Sequence, residues 1–156
     1  MAAKSKTKTK DPLWVEPRDV LAIHDRLLAL HGGAPGLRDQ GLLESALARP
    51  RQHHSYVRSP NVIGMAGLYT AGIVRNHPFV DGNKRTGFVI GVLFLELHSF
   101  DLKASEADAT QAVMGLAAGT LDEAAYVAWL RKNVRRRRLR SVNPRTSTSH
   151  IAAVNR

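Results

Sequence analysis

From Pro17 to Leu130 the apolar residues recur at helical spacing, and the pattern is interrupted by proline, glycine and capping residues rather than by alternating stretches. A chain written this way is all-α and must bury its apolar stripes against one another. Pro17 opens a first helix with Val20, Ile23, Leu27 and Leu30 on one stripe, and Gly32-Gly33 stops it. Asp39 caps a second, short helix that uses Leu42, Leu43, Ala46 and Leu47 and ends at Pro50. Ser59-Pro60 reads as N-cap and first residue of a third, which runs through Ile63, Ala66, Tyr69 and Ile73 to about Asn76. A fourth runs from Gly82 or Asn83 to about His98. It is apolar on nearly all sides from Phe88 to Leu95, which makes it the expected centre of a compact bundle. Ser105 with Asp108 and Thr120 with Glu123 form capping-box patterns for two more helices, the last carrying Tyr126, Val127 and Leu130. Only His54 to Arg58 leaves room for a small β-hairpin flap.

The ends differ in kind. Residues 1–12 and 135–156 are polar, basic and rich in Ser, Thr, Asn and Pro, which reads as two disordered tails around one helical domain of residues 13–134. The formal charge of +10 belongs to these ends. Residues 1–12 contribute +3 and residues 131–156 contribute +9, leaving −2 for residues 13–130. A nucleic-acid face built into the fold is therefore not expected. Non-specific contact through the tails is the most that the charge suggests. The chain has no cysteine, the first ten residues contain no apolar core of a secretory signal, and the run Phe88 to Leu95 is far shorter than the ~20 residues that span a bilayer. These features point to a cytoplasmic protein with no membrane segment.

The chemistry is concentrated in His77-Pro78-Phe79-Val80-Asp81-Gly82-Asn83-Lys84-Arg85-Thr86. Pro78 disfavours helix at His77, so the third helix ends there and the imidazole projects from a tight loop. Beyond the loop a helix begins, and its free amides from Gly82 to Arg85, with the helix dipole, form an anion site. Gly82 lets a phosphate approach the main chain. Asn83 and Arg85 add side-chain donors, and Lys84 adds a cation in a first turn where the dipole disfavours one unless an anion is bound. Asp81 is a hard oxygen ligand placed for a magnesium ion that bridges phosphates, although it also suits a plain N-cap. His77 is the general base. Phe79 reads as a core anchor. His24, His31, His53, His54, His98 and His150 have no metal-ligand spacing, and there is no Walker A motif or glycine-rich dinucleotide loop.

Residues 77–85 resemble the signature of the Fic/Doc family, His-x-Phe-x-Asp/Glu-Gly-Asn-x-Arg, at every fixed position. Leu37 to Pro50 is similar to the stretch that precedes the motif in Doc-like members, and the likeness extends from about Val15 to Val134. The resemblance implies that His77 deprotonates a Ser or Thr hydroxyl of a protein, that Asp81 holds Mg2+, and that Gly82, Asn83, Lys84 and Arg85 hold the phosphates of ATP. Members that transfer AMP usually have glycine at the place of Lys84 and a second arginine at that of Phe88. The pattern Asn83-Lys84-Arg85-Thr86 instead resembles the Doc branch, toxins that phosphorylate elongation factor Tu and so block translation and growth. Gly82 departs from that branch, which has alanine there, and keeps AMP transfer as the alternative. A non-catalytic binding module is the third reading. The sequence shows no internal inhibitory Ser/Thr-x-x-x-Glu-Gly/Asn pattern. The Doc likeness then implies a separate antitoxin whose segment fills a groove beside the site.

Overall fold

A computed structural model describes residues 11–138. Six helices pack around one core: α1 (Pro17–His31), α2 (Gln40–Tyr56), α3 (Val62–Asn76), α4 (Asn83–Leu97), α5 (Glu106–Ala118) and α6 (Glu123–Asn133). Two short strands, β1 (Phe100–Leu102) and β2 (Val134–Arg136), pair antiparallel with Leu102 opposite Val134. No helix of the described residues is long and apolar enough to cross a membrane.

The most enclosed helix is α3, not α4. It packs on α2, α4, α5 and α6 and is buried from Gly64 to Val74 except at Leu68. Its small residues, and those of α4, explain why. A side chain at Gly87 would lie 3.1 Å from the carbonyl of Thr70, and one at Gly91 would lie 3.1 Å from that of Ala66, so the two helices approach backbone to backbone. Thr70 closes this seam by donating its hydroxyl to the Gly87 carbonyl at 2.8 Å. Tyr69, Ile73, Phe79, Ile90 and Phe94 are fully buried in the core. Lys84, Arg85, Phe88 and Val89 on the other face of α4 line an open groove instead.

Several boundaries differ from the sequence expectation, each for a local reason. α2 does not stop at Pro50 but carries it, buried, for a further turn and a half to Tyr56. The proline deprives the Ala46 carbonyl of its helical amide, and that carbonyl faces Gly72 of α3, where a Cβ would stand 3.2 Å from it. His54 to Tyr56 are therefore helical, and the hairpin expected at His54 to Arg58 is absent. The antiparallel pair forms instead between β1 and β2. α3 is capped by Asn61, whose side chain accepts from the Gly64 amide at 2.6 Å, rather than by Ser59 with Pro60. α6 is capped by Asp122 on the Ala125 amide at 2.8 Å, while Thr120 bonds the carbonyl of Gly115. Ser105 does cap α5.

On α1, Leu30 is 62% exposed and leaves the predicted stripe. Ten residues at about 100° each place it roughly 80° from Val20, and His24 occupies the buried position one turn after Val20. The domain also extends past Val134: Arg135 and Arg136 are strand residues, and Arg137 pairs with Asp101. The remainder of the expected tails, residues 1–10 and 139–156, lies outside the described residues.

One carboxylate ties three helices. Arg49 of α2 makes two 2.7 Å bonds to the Glu123 carboxylate of α6, and Arg75 of α3 stands 3.7 Å from it. The Arg49 hydrogen bonds hold the Glu123 pKa below the usual range, against the opposing effect of partial burial. A lowered carboxylate pKa stabilises the fold above its unfolded value, and the gain is lost as pH falls through the folded value. Glu123→Gln should therefore lower the melting temperature at neutral pH, with the gap from the parent closing in acid; thermal melts across pH check this.

Candidate active site

The loop between α3 and α4 is held from three directions. His77 ends α3 as its C-cap in the left-handed region, at φ 52 and ψ 54, with its amide bonded to the Ile73 carbonyl. A histidine before proline would ordinarily be extended. Arg38 stabilises the left-handed turn by donating from Nε to the His77 carbonyl at 2.7 Å and from its terminal nitrogen to the Asn76 carbonyl at 3.0 Å. His77 itself is left exposed.

The α1–α2 connection supplies the second hold. Leu37 forms a β-bridge with Phe79, the amides of Arg38 and Asp39 donate to the Pro78 carbonyl at 2.6 and 3.0 Å, and the Val80 amide donates to Gly36 at 3.0 Å. Gly36 has φ +123 and Gly33 has φ +125, a region that side chains avoid. At Gly33 a Cβ would also stand 2.8 Å from an oxygen of the Asp81 carboxylate, so the glycine leaves the space that carboxylate fills.

The third hold comes from below. Phe79 is fully buried and stacks on His24 of α1, with ring centroids 3.7 Å apart and planes 8° from parallel. His24 Nε2 lies 2.8 Å from the Asp81 carbonyl. The carbonyl only accepts, so Nε2 is the donor. Asn83, 3% exposed, turns its amide back onto the loop: its oxygen accepts from the Phe79 amide and its nitrogen donates to the Phe79 carbonyl, both at 2.9 Å. The side-chain donor expected of Asn83 is thus committed to the loop, and its contribution to an anion passes to its backbone N–H. The support that His24 and Arg38 give this loop was missed by sequence reasoning. The signal for His24 was available, since it lies one turn from Val20 on the apolar stripe.

Asp81 is exposed, and its carboxylate accepts from the amides of Ala34 at 3.1 Å and Gly82 at 2.8 Å. These two bonds, Ala34 foremost, hold its pKa below the ordinary carboxylate range, helped by Arg85 and His24. It is not the N-cap. Gly82 takes that place at φ 78, and its amide is occupied by Asp81 rather than free. The amides of Asn83, Lys84 and Arg85 precede the first intrahelical bond, which Thr86 makes to Gly82. They open the helix dipole towards a surface where the Lys84 and Arg85 side chains are both exposed. The loop thus brings together an exposed imidazole, an ionised carboxylate and a basic helix terminus.

Among the described residues no three His, Cys, Asp or Glu side chains cluster to hold a metal. A single ionised, backbone-anchored carboxylate is the donor set that suits Mg2+ when phosphate oxygens and water complete the shell. Beside Arg85 runs a groove of about 650 Å3 between α1, α4 and α5, lined among others by His31, Lys84, Arg85, Phe88, Glu106 and Met114.

A helical domain with such a loop between two of its helices is consistent with the Fic-type class. The model of the Fic/DOC family matches residues 14–95. The chain is 26% identical over 118 residues to the "Protein kinase doc" of Escherichia phage P1, covering 76% of this chain and 93% of that protein. It is 38% identical over 74 residues to the "Toxin Doc" of Mycolicibacterium smegmatis, covering 47% of this chain and 57% of that protein. The chain belongs to the Fic/Doc family.

Proposed function

We propose that the chain is a Doc-type toxin of a toxin–antitoxin pair: a cytoplasmic protein kinase that transfers the γ-phosphoryl group of ATP to a Ser or Thr hydroxyl. Its target is elongation factor Tu, the substrate of the Doc branch that the motif resembles, and modification stops translation and growth. The observation that carries this reading is the joint presence of exposed His77, ionised Asp81 and the open amides of Asn83, Lys84 and Arg85 on one short loop and helix turn.

Within the reading, the amides and the Arg85 fork bind and orient the phosphates. His77 takes the hydroxyl proton as the oxygen–phosphorus bond forms and the bond from Pγ to the bridging oxygen breaks, releasing ADP. Bound Mg2+, held by Asp81 and the phosphates, would neutralise the charge that develops there. His24 and Arg38 act at a distance from the substrate by fixing the loop that carries both groups. Phosphotransfer is favoured over AMP transfer because Lys84 places a bulky cation in the cradle and the next turn carries Phe88 rather than an arginine. The name of the phage relative agrees with it. The groove beside Arg85 receives the antitoxin segment.

AMP transfer is the second reading, favoured by Gly82. ATP labelled at the γ- or the α-phosphate, added with the protein to a translating extract, separates the two. Kinase action puts γ-label on a protein and leaves α-label in the nucleotide. Label from the α-phosphate on protein would sink the kinase reading, and no label from either would favour a binding module without catalysis.

A further inference from the structure

The fold gathers Lys103, Arg131, Lys132 and Arg135 to Arg138 at one pole of the described residues. α4 leads from the catalytic loop at Asn83 to Leu97, about 22 Å away at 1.5 Å per residue. At that far end His98 Nε2 accepts from the Leu13 amide at 3.0 Å, and the neighbouring Ser99 carbonyl accepts from the Arg137 amide at 2.7 Å. Two adjacent residues therefore hold both ends of the described chain.

Lys103, Arg131, Lys132 and the run Arg135 to Arg138 are all exposed around β1, β2 and the last turn of α6. Among the described residues only Arg137 of these has a carboxylate partner, Asp101, with Glu96 the other acid acting on it. The described residues carry +3 in total, of which this corner holds +5 and the rest −2. β2 sets Arg135 opposite Asp101 and Arg136 opposite Phe100, which brings these arginines beside Lys103. Arg136 also lies over the Phe100 ring, 5.3 Å from its centroid, which steadies a planar donor fork at the surface.

We propose that this pole binds nucleic acid through its sugar–phosphate backbone, at a distance from the catalytic loop. The charge is single-signed and mostly arginine, which suits phosphate. Among the described residues no large exposed hydrophobic lies on β1, β2 or α6, the elements that carry the arginines; the exposed Leu13 and Leu97 lie near His98 instead. A protein interface would want such an anchor at its core, and a membrane-surface segment would want an apolar face to insert.

Fluorescence anisotropy of the full chain with labelled single-stranded RNA and with duplex DNA, at stepped salt, tests the proposal. Affinity should fall steeply with salt, by about 0.7 to 0.9 in log–log slope per phosphate contact. The triple variant R135Q/R136Q/R138Q, which spares Arg137 and its partner, should bind about tenfold or more weakly and lose roughly three units of slope, with an unchanged circular dichroism spectrum. His77→Ala should bind like the parent. A preference for RNA or for DNA identifies the source and supports the proposal either way. Binding of neither, a triple variant that binds like the parent, or equal binding to anionic vesicles or polyglutamate would overturn it. The readout uses neither nucleotide nor target, so it stands or falls separately from the kinase reading.

Discussion

His77→Ala should lower protein labelling by about 10²- to 10⁴-fold, the contribution of a positioned general base, while leaving nucleotide affinity within about twofold. The separation follows from the geometry. The imidazole lies on the exposed side of a turn whose backbone is held by Arg38, Ile73 and the α1–α2 connection, so removing the ring takes away proton transfer and leaves the cradle standing. Initial rates of γ-phosphate transfer, measured beside calorimetric binding of ATP, check both halves. An equal loss in rate and in binding would mean that His77 holds the nucleotide rather than the proton.

Phe79→Ala should cost about 3–5 kcal/mol of stability, among the largest effects of any single truncation in this fold. The ring is fully buried, and its loss would empty the space against His24. The damage should reach the site as well, because Phe79 also offers both its amide and its carbonyl to Asn83. Denaturant titration gives the stability change. Transfer rates at a temperature where the variant is still folded should be depressed through a looser loop, whereas a rate equal to that of the parent would show that the stack serves stability alone.

The helical architecture was legible because its signals are local: apolar stripes, Pro17 at the start of α1, Asp39 at the start of α2, Ser105 at the start of α5. What misled was equally local. Pro50 reads as a terminator by its missing amide, yet α2 continues through it with the Ala46 carbonyl packed closely on Gly72 of another helix. The exposed end of α1 at Leu30 and the strand status of Arg135 and Arg136 depend on partners distant in sequence, which periodicity cannot supply. At the site, the residue types of the motif announced a base, a carboxylate and an anion cradle. They did not reveal that Asn83 faces inwards, that Asp81 occupies the Gly82 amide, or that His24 supports the loop from beneath. The last is a contact between distant segments, and the first two follow from the backbone path of the loop itself.

Calorimetric titration of ATP into the protein, with and without Mg2+, addresses the central claim most directly. Saturable binding that strengthens with the ion and is weakened in both Asp81→Asn and Arg85→Ala is the result expected of a loop that grips a magnesium-bound triphosphate. Absence of binding with the ion present, or an affinity that neither substitution alters, would contradict it.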